Sequence, residues 1–236
     1  MRADASWRGM QEGEDELAGR SPAAARSSAV ERCWPRGFAF ADREAIGLRC
    51  DLERLTPPAA ADSFLTVIQI DGRELADLLL ESGDRQQASA AFACPVRRRL
   101  ARQRVGRCFV AMTKAAEPCF VQWLLDHTDN QALRHGFGDV FPHLLRDEAL
   151  LEGTFIPAPF RAPAIVPSAM PRIAARAAAQ GVRWVHSFVP VEDEAMLRAT
   201  RAAGFALHQL RMQRRRLWRR TTGFGPLPAD LRLRWA

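Results

Sequence analysis

Residues 155 to 181, FIPAPFRAPAIVPSAMPRIAARAAAQG, pass from an apolar extended stretch through a proline-rich bend into an alanine-rich helix that stops at a glycine. The first backbone N–H groups of a helix have no partner within it and carry the positive end of its dipole. A strand, a short bend and a helix start therefore make a place for an anion, and a bend of this length after a strand suits a pyrophosphate. The same stretch also reads as a strand-to-helix turn with no ligand, and the bend alone does not separate the two.

Other residue types offer less. Cys33, Cys50, Cys94, Cys108 and Cys119 are an odd number, with no C-x-x-C pair and no histidine at zinc-site spacing. They read as reduced, partly buried thiols, and no metal is expected. His127, His135 and His143 fall in or near a run rich in Gly, His and Phe. They could line an acceptor site, but a polar loop is the better account of them. His186, Trp123 and Trp184 read as packed residues.

The elements that must hold the bend follow from periodicity. AIGLRCDLERL (45–55) predicts a strand with Leu48, Cys50 and Leu52 on one face, ended by TPPAA. DGRELADLLLESG (71–83) predicts an amphipathic helix begun at Asp71, and CPVRRRLARQRVG (94–106) a basic one. RCFVAMTK and EPCFVQWLLDHT predict a β-hairpin, then a loop over 130–146 and a strand over EALLEGTFIPAPF. PSAMPRIAARAAAQG predicts a helix capped by Ser168 and closed by Gly181, with Pro171 in its first turn. VRWVHSFVPV continues as a strand, DEAMLRATRAAGF as a helix capped by Asp193 and ended by Gly204, and ALHQLRMQRRRLWRR as the last strand. The order predicts a mixed α/β domain over residues 41–236, with both hairpin and crossover connections. Residues 1–40, rich in Ala, Arg, Ser, Glu and Gly, predict a flexible low-complexity tail.

FIPAPFRAPAI, its helix, the next strand and V-x-x-x-D-E-A-M-L-R-A-T-R-A-A-G-F together resemble the GNAT-type N-acyltransferase superfamily. The likeness in residues covers roughly 148–205, and by element order about 45–220. It implies a mostly antiparallel mixed central sheet flanked by helices. It also implies acetyl-CoA or another acyl-CoA as co-substrate, and a small-molecule or protein amine as acceptor. In that family an aromatic-Arg-Gly-x-Gly bend cradles the coenzyme pyrophosphate. Phe160 and Arg161 stand at the aromatic and the arginine, Ile165 at the apolar residue after the bend, Asp193 at a usual asparagine, and Gly204 and Phe205 at the Gly-Phe close. The implied coenzyme contacts are Phe155, Ile156, Phe160, Arg161, Ala162, Ala164, Ile165 and Asp193. The implied catalytic base is Glu152, because an amine attacking a thioester must lose a proton and a partly buried glutamate can have its pKa raised toward neutrality. A surface or edge role for Glu152 stays open.

The chain departs from that pattern at identifiable places. Ala164 and Val166 replace the two glycines, Pro163 has no N–H to offer, and Thr200 stands where many members carry a tyrosine that protonates the departing thiolate. The chain contains no tyrosine, leaving water, Cys108, Cys119, His186 or unaided departure of the thiolate. A non-catalytic module that senses acyl-CoA or engages a partner is thus the alternative to an enzyme.

The chain carries 34 basic against 27 acidic residues, a formal charge of +7 and one lysine, Lys114. So complete a use of arginine points to genome composition more than to phosphate binding. Arg97 to Arg107 and Arg211 to Arg220 form two arginine clusters, read as solvated faces or as anion-binding surfaces. Arginines without interleaved aromatics weigh against nucleic acid. The opening residues lack the pattern of a signal peptide and no run of 18 apolar residues occurs, so a cytoplasmic protein without membrane contact is expected.

Overall fold

The computed structural model describes residues 43–55, 65–72, 74–81, 85–216 and 219–235. The predicted tail, the TPPAA break, Cys33 and Leu217 lie outside these. The chain forms β1 (Arg43–Asp51), β2 (Leu65–Ile70), α1 (Glu74–Glu81), α2 (Arg85–Ala93), α3 (Pro95–Gln103), β3 (Arg107–Thr113) and β4 (Pro118–Asp126). There follow α4 (Asn130–Phe137), β5 (Glu148–Phe155), α5 (Ile165–Ala178), β6 (Trp184–Pro190), α6 (Glu194–Ala202), β7 (Ala206–Arg216), β8 (Arg219–Pro226) and α7 (Ala229–Trp235).

All eight strands form one sheet in the order β2-β3-β4-β5-β6-β1-β7-β8, antiparallel except for the β5–β6 pair. The central strand β4 is apolar along nearly its whole length because both of its faces are covered. Phe120 and Leu124 enter the core beneath α5 and α6, whereas Val121, Trp123 and Leu125 enter the core beneath α1, α2, α3 and α4. Each such large side chain contributes about 1.5–3 kcal/mol by leaving water.

Two features of this sheet make the site. First, the parallel β5–β6 ladder runs only from Glu148↔Trp184 to Leu151↔Ser187. Beyond it β5 stays with β4, and β6 stays with β1 through Phe188↔Gly47, Val189↔Ile46 and Pro190↔Ala45, so the sheet parts into two halves. A bulge helps turn β5 away: between Val121↔Phe155 and Trp123↔Glu152, Gly153 and Thr154 together face Gln122. Gly153 has φ +67°, and a Cβ there would lie 3.0 Å from Trp123 Cε3 and 3.2 Å from Arg97 Cγ. Second, the early strand β1 is inserted between β6 and β7, where Ala45 and Gly47 present almost no side chain.

Several sequence expectations are revised. The predicted last strand is a hairpin, β7–β8, followed by α7, and the 130–146 loop contains α4. LTVIQI forms the edge strand β2, which the sequence reading did not assign, nor did it assign α2. Helix α5 begins at Ile165, three residues before Ser168, with Ala164 as its N-cap and Pro171 in its interior. Pro171 has no N–H to donate to the carbonyl of Pro167, so one helical bond is missing, while apolar packing of Ile165, Val166, Ala169 and Met170 holds the turn.

Candidate active site

The mouth between β5 and β6 is built from the residues that follow the last ladder pair. On β5 this is Glu152, half-buried, with Oε1 accepting the Gly153 N–H at 3.0 Å. Burial pushes its pKa above the ordinary carboxylate value, and the charges of Arg211 and Arg97 work against that rise. On β6 it is Phe188, whose ring lies over Gly47; a Cβ at Gly47 would come within 2.8 Å of that ring.

Arg97 fixes the β5 side. Its guanidinium donates to the carbonyls of Ala91, of Ala90 at 3.1 Å and of Thr154 at 2.9 Å, and sits 5.1 Å from the Phe155 ring centroid. It therefore ties the α2–α3 joint to the bulge. Gln122 Nε2 holds Thr154 Oγ1 at 2.9 Å. Phe155 and Ile156 are buried, one in each core.

The β7 side carries Arg211, only 8% exposed. Its side chain crosses Ala45 and places the guanidinium carbon 4.7 Å from the Phe188 centroid. Phe224, its partner across β8, packs on Phe188 with centroids 5.7 Å apart. Among the described residues the guanidinium makes no side-chain hydrogen bond or ion pair, and Nη1 is buried without a partner. Two residues along the same strand face, Gln213 is 4% exposed and its Nε2 is likewise unpartnered.

The bend that follows β5 folds partly on itself. Phe160 N–H donates to Pro157 O, Arg161 N–H to Ala158 O, Ala162 N–H to Phe160 O, and Ile165 N–H to Ala162 O. Ala158 N–H meets Gln87 Oε1, and Pro157, Pro159, Pro163 and Pro167 have no donor. At the helix start the N–H groups of Ala164 and Val166 make no hydrogen bond among the described residues. Phe160 packs against the α5 core, Ala162 and Ala164 are exposed, and Ile165 is buried. Arg161 braces the bend through Nε to Ile156 O at 3.4 Å. Asp193 caps α6, accepting from the Met196 N–H at 3.1 Å.

The remaining polar candidates lie elsewhere. His127, His135 and His143 are exposed. His186 is opposite Leu150, inside the paired part of the ladder, with Nε2 3.3 Å from Glu148 Oε1 and burial holding its pKa below the usual value. Cys119 donates its S–H to Ala111 O at 3.1 Å with its pKa pushed up to about 11, and Cys108 on β3 is raised further still by burial. Thr200 is 1% exposed with Oγ1 unpartnered among the described residues. Trp123 is a core residue as expected, but Trp184 is half-buried between the guanidinium groups of Arg49 and Arg183 at 4.0 and 4.9 Å.

Gln213 and Phe188 were not singled out from sequence, and Arg211 was read only as a member of its arginine cluster, as part of a solvated face or an anion-binding surface. The alternation Gln209, Arg211, Gln213 against Leu210 and Met212 is visible, but it reads as an outward polar face until the small residues of β1 are placed beside it.

No group of three metal-ligating side chains occurs among the described residues, and no helix there is long and apolar enough to cross a membrane. No protein-family model matches the chain, and no curated protein does so. Solved structures similar to it include an acetyltransferase of the GNAT family from Colwellia psychrerythraea, at 13% identity over 73% of this chain and 55% of that one, with a TM-score of 0.47. A tandem GNAT protein from the clavulanic acid biosynthesis pathway is 16% identical over 79% and 55%, with a TM-score of 0.45. A GCN5-related N-acetyltransferase from Kribbella flavida is 12% identical over 80% and 60%, with a TM-score of 0.43. The chain spans 55–60% of the length of each of these.

Proposed function

We propose that this chain transfers an acyl group from acyl-coenzyme A to an amine, with the β5–β6 mouth as the place where thioester and amine meet. The observation that carries the reading is the position of Glu152, half-buried on the first β5 residue past the last β6 pair. There a carboxylate with a raised pKa can take the proton of an incoming ammonium, directly or through one water. The amine lone pair then forms the C–N bond, the C–S bond breaks, the coenzyme leaves as its thiolate, and the surplus proton of the attacking nitrogen passes through water to that thiolate. Its departure is unaided by Cys108 or Cys119, which lie on β3 and β4 with their protons held tightly, or by Thr200, closed within α6.

Backbone groups near Phe155 and Ile156 hold the pantetheine arm, and the Arg161 to Ile165 bend holds the pyrophosphate. The open N–H groups of Ala164 and Val166 at the start of α5 support this placement, since a helix N-terminus favours an anion. Asp193 acts at one remove, by fixing the start of α6.

A second reading, a module that binds without catalysis, draws on the same bend: four prolines and four internally bonded N–H groups leave few donors for a pyrophosphate. Calorimetric titration with acetyl-coenzyme A and with free coenzyme A separates the transferase from a module that engages a partner without the coenzyme, and turnover of an amine acceptor separates it from a module that only senses acyl-coenzyme A. Micromolar binding of both supports the transferase and opens a screen of amine acceptors. Absence of binding at millimolar ligand refutes it in favour of the partner-binding module.

A further inference from the structure

A buried guanidinium with no partner is costly, because its solvation is lost and nothing replaces it. Among the described residues Arg211 has no hydrogen-bonding partner for its guanidinium, only the Phe188 ring and the nearby charge of Glu152, and the fold makes particular provision for it. Ala45 and Gly47 clear a path across β1, Phe188 and Phe224 wall it, and the charge ends on the face that Glu152 also borders. Gln213 adds a second buried donor two residues away on the same face. Arg97, the other cation near Glu152, differs in having its donors engaged by the carbonyls of Ala90, Ala91 and Thr154. A group made only of acceptors is what Arg211 and Gln213 lack.

We infer that Arg211, assisted by Gln213, binds a carboxylate of the acceptor, so that the acceptor class is a small amine that also carries a carboxylate, of the amino-acid type. Such a molecule matches the site at both ends: its ammonium faces Glu152 and its carboxylate faces Arg211. A planar guanidinium fork suits a carboxylate in two-point contact, and stacking on Phe188 fixes the plane in which the fork lies. A neutral or purely cationic amine leaves Arg211 unsatisfied, which is how a buried polar group rejects the wrong ligand.

The inference rests on the transfer reading only for which end of the acceptor faces the thioester, and its test needs no turnover. Thermal-shift and calorimetric titrations of the full chain would use glycine, β-alanine, γ-aminobutyrate and the common L-amino acids, each beside the matching amine without its carboxylate. At least one acid should bind, its decarboxylated partner at least tenfold more weakly. Arg211→Met should weaken that acid tenfold or more, with Arg211→Lys and Gln213→Leu intermediate. Because the buried guanidinium has no hydrogen bond to lose and methionine keeps the packing on Phe188, Arg211→Met should unfold at the same midpoint or higher. Binding of amines as tight as that of their acids, no binding across the panel, or a lower unfolding midpoint for Arg211→Met would each overturn the assignment. If Arg211→Met does not fold, the structural role is the correct one. An acid bound normally by a protein that binds no coenzyme A would refute acyl transfer while leaving the carboxylate site standing.

Discussion

Glu152 and Phe188 stand on neighbouring parallel strands as the first residues beyond the last pair that joins them, Leu151↔Ser187. The carboxylate therefore stands where the sheet opens, on the strand beside that of Phe188, in buried surroundings that favour its neutral form. Desolvation raises its pKa from the ordinary 4.5, with Arg211 and Arg97 opposing. Acyl transfer should then rise with pH through an apparent pKa above 4.5 and level off once the carboxylate is charged. Glu152→Gln should remove that limb and lower kcat by about 10²–10⁴-fold. The same shift has a stability consequence of opposite sense. A group that holds its proton more tightly when folded stabilises the fold most at low pH, and that contribution is lost as pH rises through the folded value. Unfolding midpoints of wild type and Glu152→Gln, compared across pH, should converge in their slope if this assignment fails.

Gly153 occupies the left-handed region at the bulge, against Trp123 and Arg97. Gly153→Ala should cost about 1–2 kcal/mol from backbone strain alone, and more once Trp123 yields to the new methyl. Denaturant unfolding measures it. A loss under 0.5 kcal/mol would mean that the bulge relaxes freely and does not hold the mouth open.

Much of the fold was legible in the sequence because amphipathic periods carried it: the β3–β4 hairpin, α1, α3, β5, β6 and α6 all lie where their apolar residues predict. What was hidden depended on tertiary neighbours. LTVIQI is short and half-exposed, as an edge strand can be, and α2 is an Ala/Gln stretch with a weak apolar face. The position of β1 could not be read at all, since nothing in REAIGLRCD states which two strands it will separate. That placement is also what converts Arg211 from one of a run of surface arginines into a buried cation. Arg97 misleads in the same way: three consecutive arginines read as a solvated face, yet the helix turns the first of them inward, to 6% exposure. The bend was legible as a bend, but its donors were not, because which N–H groups it spends on itself is a matter of turn geometry.

Arg97 satisfies three carbonyls from three places, Ala90, Ala91 and Thr154. Leaving a buried acceptor unpaired costs about 1–3 kcal/mol, in full for Ala91 O and only in part for the part-buried Ala90 O and Thr154 O, so Arg97→Met should lower stability by about 2–4 kcal/mol despite its matched length. Arg97→Lys should recover little, since one ammonium cannot span the three acceptors. Equilibrium unfolding of both variants checks this, and a loss below 1 kcal/mol for Arg97→Met would show that the α2–α3 joint does not depend on it.

Pro163 offers a test of the bend in which stability and binding move in opposite directions. It lies just before the two open donors, Ala164 and Val166, and contributes no N–H of its own. Pro163→Gly adds a donor and frees the unfolded chain, so stability should fall by about 0.4–1 kcal/mol. If the bend holds a pyrophosphate, the new N–H faces a charged acceptor, and hydrogen bonds to charged groups contribute about 1.5–3 kcal/mol. Coenzyme A should then bind several-fold more tightly to a protein that unfolds more easily. A strand-to-helix turn with no ligand has no such opposition: Pro163→Gly would lose stability and leave titration with coenzyme A unchanged, and that pair of results would remove the bend from the site.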